Sequence, residues 1–196
     1  FFRKLRRVAF FTVDTTLVII AVPIVLFVRI VQPIWWIRFG YFSVDRIGHF
    51  AFDVEYFQSE RKLGIQDKTY LDLFFFKGKP ANEQFEKMSR RIVTVHPLIR
   101  YLYFANDLLP FGVRHKILPA REKTNSRDHR GVFNSVKTQI RFTDSENKLG
   151  TQFLEKFGFG VDEKFVCLVV RDSTYLNKTY GGRDWSYHGF RDTDIN

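Results

Sequence analysis

At 196 residues, with 45% hydrophobic and 17% aromatic content, the chain has enough core-forming side chains to exclude disorder over most of its length. Its formal charge of +10 calls for an anionic partner, yet no recognisable nucleic-acid motif is present, so nucleic acid is not expected among its partners. The single cysteine, Cys167, excludes an intrachain disulfide and fits a reducing compartment.

The opening "FFRKLRR" sets four basic residues before an apolar stretch, Val8 to Val28, long enough as a helix to reach across a hydrocarbon layer. A simple span fits poorly. Asp14 and three threonines lie near its start, Pro23 interrupts it, and Arg29 arrives early. No small-residue cleavage site follows, which argues against a signal peptide. Basic residues on both flanks, Arg29, Arg38 and Arg46 on the far side, ask for the same side of a membrane. Trp35 and Trp36 add interfacial anchors. The expectation is a re-entrant or interfacial helix, residues 1–36, touching membrane lipids and followed by a domain on the cytoplasmic face.

"WWIRFG" reads as a first strand broken at Gly40, and a helix is expected after His49. "YLDLFFF" is a second strand. "NEQFEKMSRRI" is a helix with Asn82 as its N-cap, and another helix lies between Pro97 and Pro110. The polar stretch 119–131 is expected as a surface loop. A capping pattern, Thr143 and Glu146, opens a helix running to about Phe157. A buried strand, Phe165 to Val170, follows. Strands alternating with helices, and continuously apolar strands, predict an α/β fold with a parallel sheet.

Three stretches carry candidate chemistry. At the first strand-to-helix junction, Gly48 lets a ligand approach the backbone or supplies a positive φ, and the helix N-terminus offers N–H groups to an anion beside Arg46. His49 has the chemistry of a general base, with Asp53 one helical turn on to orient it. In "VVRDSTYL", Arg171, Asp172 and Tyr175 follow a buried strand, at the edge where parallel sheets bind ligands. In "DWSYHGFRDTD", Tyr187, His188 and Arg191 stand in a mixture suited to stacking on a sugar or base. Each stretch also has a plain reading: a turn, an ion pair and an anchored surface loop.

"IRFGYFSVDRIGHFAFDVEYF", "ANEQFEKMSRR", "FVCLVVRDSTYL" and "WSYHGFRDTDI" together resemble a group of bacterial glycosyltransferases associated with surface-carbohydrate and capsule biosynthesis. The likeness runs over most of the chain from Ile30, with Val169 where that group has histidine. It implies the N-terminal, Rossmann-like half of a GT-B-type glycosyltransferase at 37–163, facing the acceptor, and the start of an incomplete second, donor-side domain at 164–196. It implies transfer from a nucleotide-sugar to a lipid-linked or polysaccharide acceptor, with no other cofactor and no metal. It turns His49 toward a catalytic role and marks Glu55 as an acid near the substrate. The implied location is the cytoplasmic face of the bacterial inner membrane. A non-catalytic, membrane-associated glycan-binding or assembly protein of the same pathway is the alternative.

Overall fold

The computed structural model describes residues 2–67 and 69–160 and a few isolated positions beyond, with side chains from residue 14 onward. Compactness divides the chain into two units, residues 1–143 and 144–196.

The first unit is α/β and Rossmann-like. Four strands, β1 (Ile37–Ser43), β2 (Leu71–Lys77), β3 (Thr94–Val95) and β4 (Lys116–Ile117), form one parallel sheet in the order β3-β2-β1-β4. The chain moves outward from β1 to β2 to β3, then returns to lay β4 on the other side of β1. β1 does not end at Gly40, as its sequence led us to expect. It pairs with β2 in register from Ile37↔Leu71 to Ser43↔Lys77. Gly40 lies flat within it because a Cβ there would stand 2.7 Å from the Phe74 ring and 3.0 Å from Ile117 Cβ. The glycine therefore serves the close approach of three strands, not a turn.

Helices cover both faces. On one, α2 (Ile47–Lys62) and α3 (Glu83–Arg90) close over Phe42, Phe50, Val54, Phe57, Phe74 and Met88. The Asn82 carboxamide oxygen accepts from Phe85 N at 2.7 Å, the N-cap read from the sequence. On the other face, α1 (Phe2–Ile30) and α4 (Ile99–Leu108) pack with Phe39, Tyr41, Phe75 and Tyr103. α1 runs through Pro23, and its buried residues Ala21, Val25 and Val28 follow helical spacing. The charges that made it a poor span tie it to α4. Asp14 accepts from Arg100 at 2.9 Å and from the Tyr101 hydroxyl at 3.0 Å. Arg29 donates to the Asn106 side chain at 2.8 Å and to the carbonyl of Pro110. Among the described residues, no helix is long and apolar enough to cross a membrane.

The polar stretch 119–131 is not simply a loop. It holds a short helix, α5 (Ala120–Thr124), and is followed by another, α6 (Val132–Ser135). In the second unit, α7 (Asp144–Lys156) ends within a residue of the expected position, and its Phe153 ring lies tilted against Phe157 with centroids 4.9 Å apart. The expected strand 165–170 and Cys167 lie outside the described residues.

Candidate functional site

The strand order reverses between β1 and β4, and the crevice beyond the carboxyl ends of such a pair is where parallel α/β sheets take ligands. The turn leaving β1 is fixed against its neighbour. Val44 N donates to Lys77 O at 3.2 Å, and Ala81 N donates to Val44 O at 2.7 Å. Arg46 is extended at the N-cap of α2 and its side chain does not cap the helix. Phe50 N returns to Arg46 O at 2.9 Å, so the helix starts abruptly, and its first turn carries no acidic residue. Gly48 does not take a left-handed conformation. An added Cβ there would meet nothing within 4 Å, so of its two expected roles only the open approach to the backbone remains.

The side chain that organises the crevice is Arg121, on α5 just past β4. Its Nη2 donates to Ser43 Oγ at 2.6 Å, at the last residue of β1. Its Nη1 lies 3.3 Å from His49 Nδ1. Its backbone N–H donates to Asp53 Oδ1 at 2.8 Å, and its Nε stands 3.7 Å from Asp53 Oδ2. One arginine thus joins β1, α2 and α5.

This rearranges the expected His49–Asp53 pair. Asp53 does not orient His49; it holds Arg121, and Arg121 meets the imidazole. Asp53 is fully buried, and its Oδ2 has no hydrogen bond among the described residues. Burial pushes its pKa up to about 6, outweighing the hydrogen bond and charge of Arg121. His49 is held below the ordinary imidazole value, chiefly by burial and then by the positive charges of Arg121 and Arg46; Asp45 opposes them. Beside them, the Tyr41 hydroxyl donates to Glu122 Oε1 at 2.5 Å, and burial together with that carboxylate pushes the phenol well above its usual range.

Glu55 is occupied otherwise than expected. Its Oε1 accepts from Gln139 N at 2.6 Å and its Oε2 from Ile140 N at 2.9 Å, so it latches segment 137–141 onto α2. Next to that latch runs an apolar groove of about 410 Å³ between Ile47 on α2, Phe85 and Met88 on α3, and Ile140 and Phe142.

The structure therefore brings Arg46, Gly48, His49 and Asp53 to one crevice and turns Glu55 to a structural task. Arg171, Asp172, Tyr175, Tyr187, His188 and Arg191 lie outside the described residues. Sequence reasoning missed Ser43, Arg121 and Glu122. β4 is only two residues long, too short for a periodic signal, and "PAREKTN" after it is polar from Arg121 on. The available signal was Pro119, a helix-starting residue directly after the apolar pair Ile117-Leu118. Among the described residues no three His, Cys, Asp or Glu side chains gather as a metal site requires. Comparison with protein-family models, curated proteins and solved structures gives no match.

Proposed function

We propose that this chain carries the acceptor-side, Rossmann-like domain of a GT-B-type glycosyltransferase. It moves a sugar from a nucleotide-sugar to a lipid-linked or polysaccharide acceptor in bacterial surface-carbohydrate synthesis. The observation that supports this most is the half-buried His49–Arg121–Ser43 cluster at the carboxyl ends of β1 and β4, where the strand order reverses. In this reading His49 meets the reacting end of the acceptor, and Arg46 and Arg121 keep the crevice positive for a phosphate-bearing substrate. The donor-side residues are Arg171, Asp172, Tyr175, Tyr187, His188 and Arg191.

The same reading keeps the protein at the cytoplasmic face of the inner membrane. The support is the outer face of α1 and the turn after it: Ile20, Phe27, Ile30, Ile34 and Trp35 are exposed, Ile34 to 79%. Apolar surface of that kind, next to the basic "FFRKLRR", suits a helix lying in the headgroup region.

The test is sugar transfer by the full chain in the presence of membranes, with nucleotide-sugars offered singly and nucleotide release measured. His49→Ala should lower turnover by roughly 10²-fold while the fold stays intact. Wild-type turnover in that variant removes His49 from the reaction. Binding of glycans with no nucleotide release from any donor favours a non-catalytic assembly protein.

A further inference from the structure

We propose that Arg121 holds His49 as the neutral Nε2–H tautomer, so that the imidazole gives a hydrogen bond to a substrate oxygen and does not take a proton from one. The inference deepens the functional reading above and rests on it for the word substrate; the tautomer itself rests only on geometry.

A guanidinium has five N–H donors and no acceptor. At 3.3 Å from Arg121 Nη1, His49 Nδ1 can therefore take part only through its lone pair. A proton on Nδ1 would point one donor at another, next to a positive charge. The neutral ring must then carry its proton on Nε2, and a second proton has to enter against Arg121. The other charges around the ring reinforce this. Arg46 in the β1–α2 turn adds to the positive field, and Asp45 opposes it as the weaker influence. Asp53, on the same helix face, does not reverse it, because its carboxylate is directed at Arg121. Burial acts in the same sense, since the charged ring loses more hydration than the neutral one.

Arg121 cannot easily turn away. Its backbone N–H is bonded to Asp53 and its other terminal nitrogen to Ser43. Among the described residues, the Arg121 contact is the one hydrogen bond His49 makes, so Nε2–H is left to a ligand. Arg121 and Asp53 are thus positioning residues and His49 is the residue that meets substrate. A general base needs the opposite arrangement, an acceptor holding Nδ1–H so that Nε2 is bare, as in the serine-protease triad. Here a donor stands where that acceptor would be.

The experiment is nitrogen NMR of the full chain labelled with ¹⁵N-histidine, with His49→Gln to assign its signals. The expected result is a pyridine-like Nδ1 and a pyrrole-like Nε2 for His49, with titration below the ordinary imidazole range. In Arg121→Met the titration should move upward and the tautomer preference should relax. A bare Nε2 in the wild type, or titration at or above the ordinary imidazole value, overturns the proposal without needing any variant to fold. Activity gives a second readout. Glutamine places an N–H where Nε2–H stands and cannot act as a base. His49→Gln should keep turnover within about tenfold of wild type, while His49→Ala loses roughly 10²-fold. Equal losses in the two variants overturn the donor role. If NMR shows the Nε2–H form but no donor sugar is ever transferred, the glycosyltransferase reading fails and the tautomer assignment stands.

Discussion

The two ends of the parallel sheet carry clusters made of the same residue types, and they differ in how completely those residues satisfy one another. At the amino end, Arg38 grips Asp72 with two bonds, 2.7 and 2.9 Å, and Arg61 adds a third at 3.0 Å. Arg38 also donates to Gln66 at 3.1 Å and lies over the Tyr70 ring. Both carboxylate oxygens are used, and the guanidinium geometry is the bidentate one. At the carboxyl end, Arg121 is spread over Ser43, His49 and Asp53 with contacts up to 3.7 Å, and among the described residues Asp53 Oδ2 is left without a hydrogen bond. The histidines repeat the contrast. His115, buried near the start of β1, has both ring nitrogens engaged, by Ile37 O and by Gln32. His49 uses one. A network that closes on itself holds the fold; one that stays open at the ligand edge has something left to give a ligand.

The contrast is broken most forcefully at the closed end. Asp72→Ala leaves Arg38 half-buried without its partner, and roughly 3–5 kcal/mol of stability should be lost. Urea unfolding measures this. A loss under about 1 kcal/mol would mean that the amino-end cluster is a solvated surface pair and that the comparison does not hold.

At the open end the next effect is one of pH. The folded-state pKa of Asp53 is raised to about 6 from 3.8. Its contribution is therefore fully present below the unfolded value and is lost as pH rises through the folded one. Above that, keeping the carboxylate buried costs at most roughly 3 kcal/mol. Asn at this position keeps an oxygen for Arg121 N–H and has no charge to bury. The stability of Asp53→Asn relative to wild type should therefore improve steadily between pH 4 and pH 7, read from urea midpoints at each pH. A difference that does not change with pH would show that Asp53 titrates normally and that the open end is as well paired as the closed one.

A smaller effect separates Glu55 from the crevice. Glu55→Ala removes the acceptor of two backbone N–H groups and should cost about 2 kcal/mol. Faster proteolysis within 137–141 should accompany it, with substrate affinity unchanged. Lost affinity at unchanged proteolysis would return Glu55 to the site, where the resemblance to glycosyltransferases placed it.

Most of the alternating architecture was legible because long elements carry their period. The seven-residue strands β1 and β2 and helix α2 announce themselves by their apolar residues, α3 by Asn82, α4 by its flanking prolines and α7 by the Thr143–Glu146 capping pattern. The site was half legible for a related reason. Arg46, Gly48 and His49 sit at a junction between two recognisable elements. Arg121 follows a strand of two residues and is 72 positions from His49, so its role exists only once β4 lies beside β1. Asp53 shows how local spacing misleads. Four residues after His49 it occupies the right helix face, yet the stronger partner for a buried carboxylate is the arginine and backbone N–H that tertiary packing brings in. Asp14 and Arg29 mislead in the other direction: each reads as a defect in an apolar span and is in fact a tie to α4.

The smallest expected stability change, and the one that sharpens the open end most, belongs to Gly48. It stands in the first turn of α2 with ordinary backbone angles and empty space where a methyl group would go. Nothing in the fold requires glycine there. Alanine is the better helix former, so Gly48→Ala should raise stability by about 0.5 kcal/mol, visible as a small upward shift in Tm. The space the methyl group fills is the space through which a ligand reaches the first-turn N–H groups, which the Arg46 side chain does not cap. Substrate KM should therefore rise several-fold in a protein that is slightly more stable than wild type, with kcat little changed because His49 and Arg121 are untouched. Opposite signs in stability and affinity are what an open ligand edge predicts. If both kinetic constants stay at wild-type values while Tm rises, the ligand does not approach α2 from its end, and the site contracts to the face between His49 and Arg121.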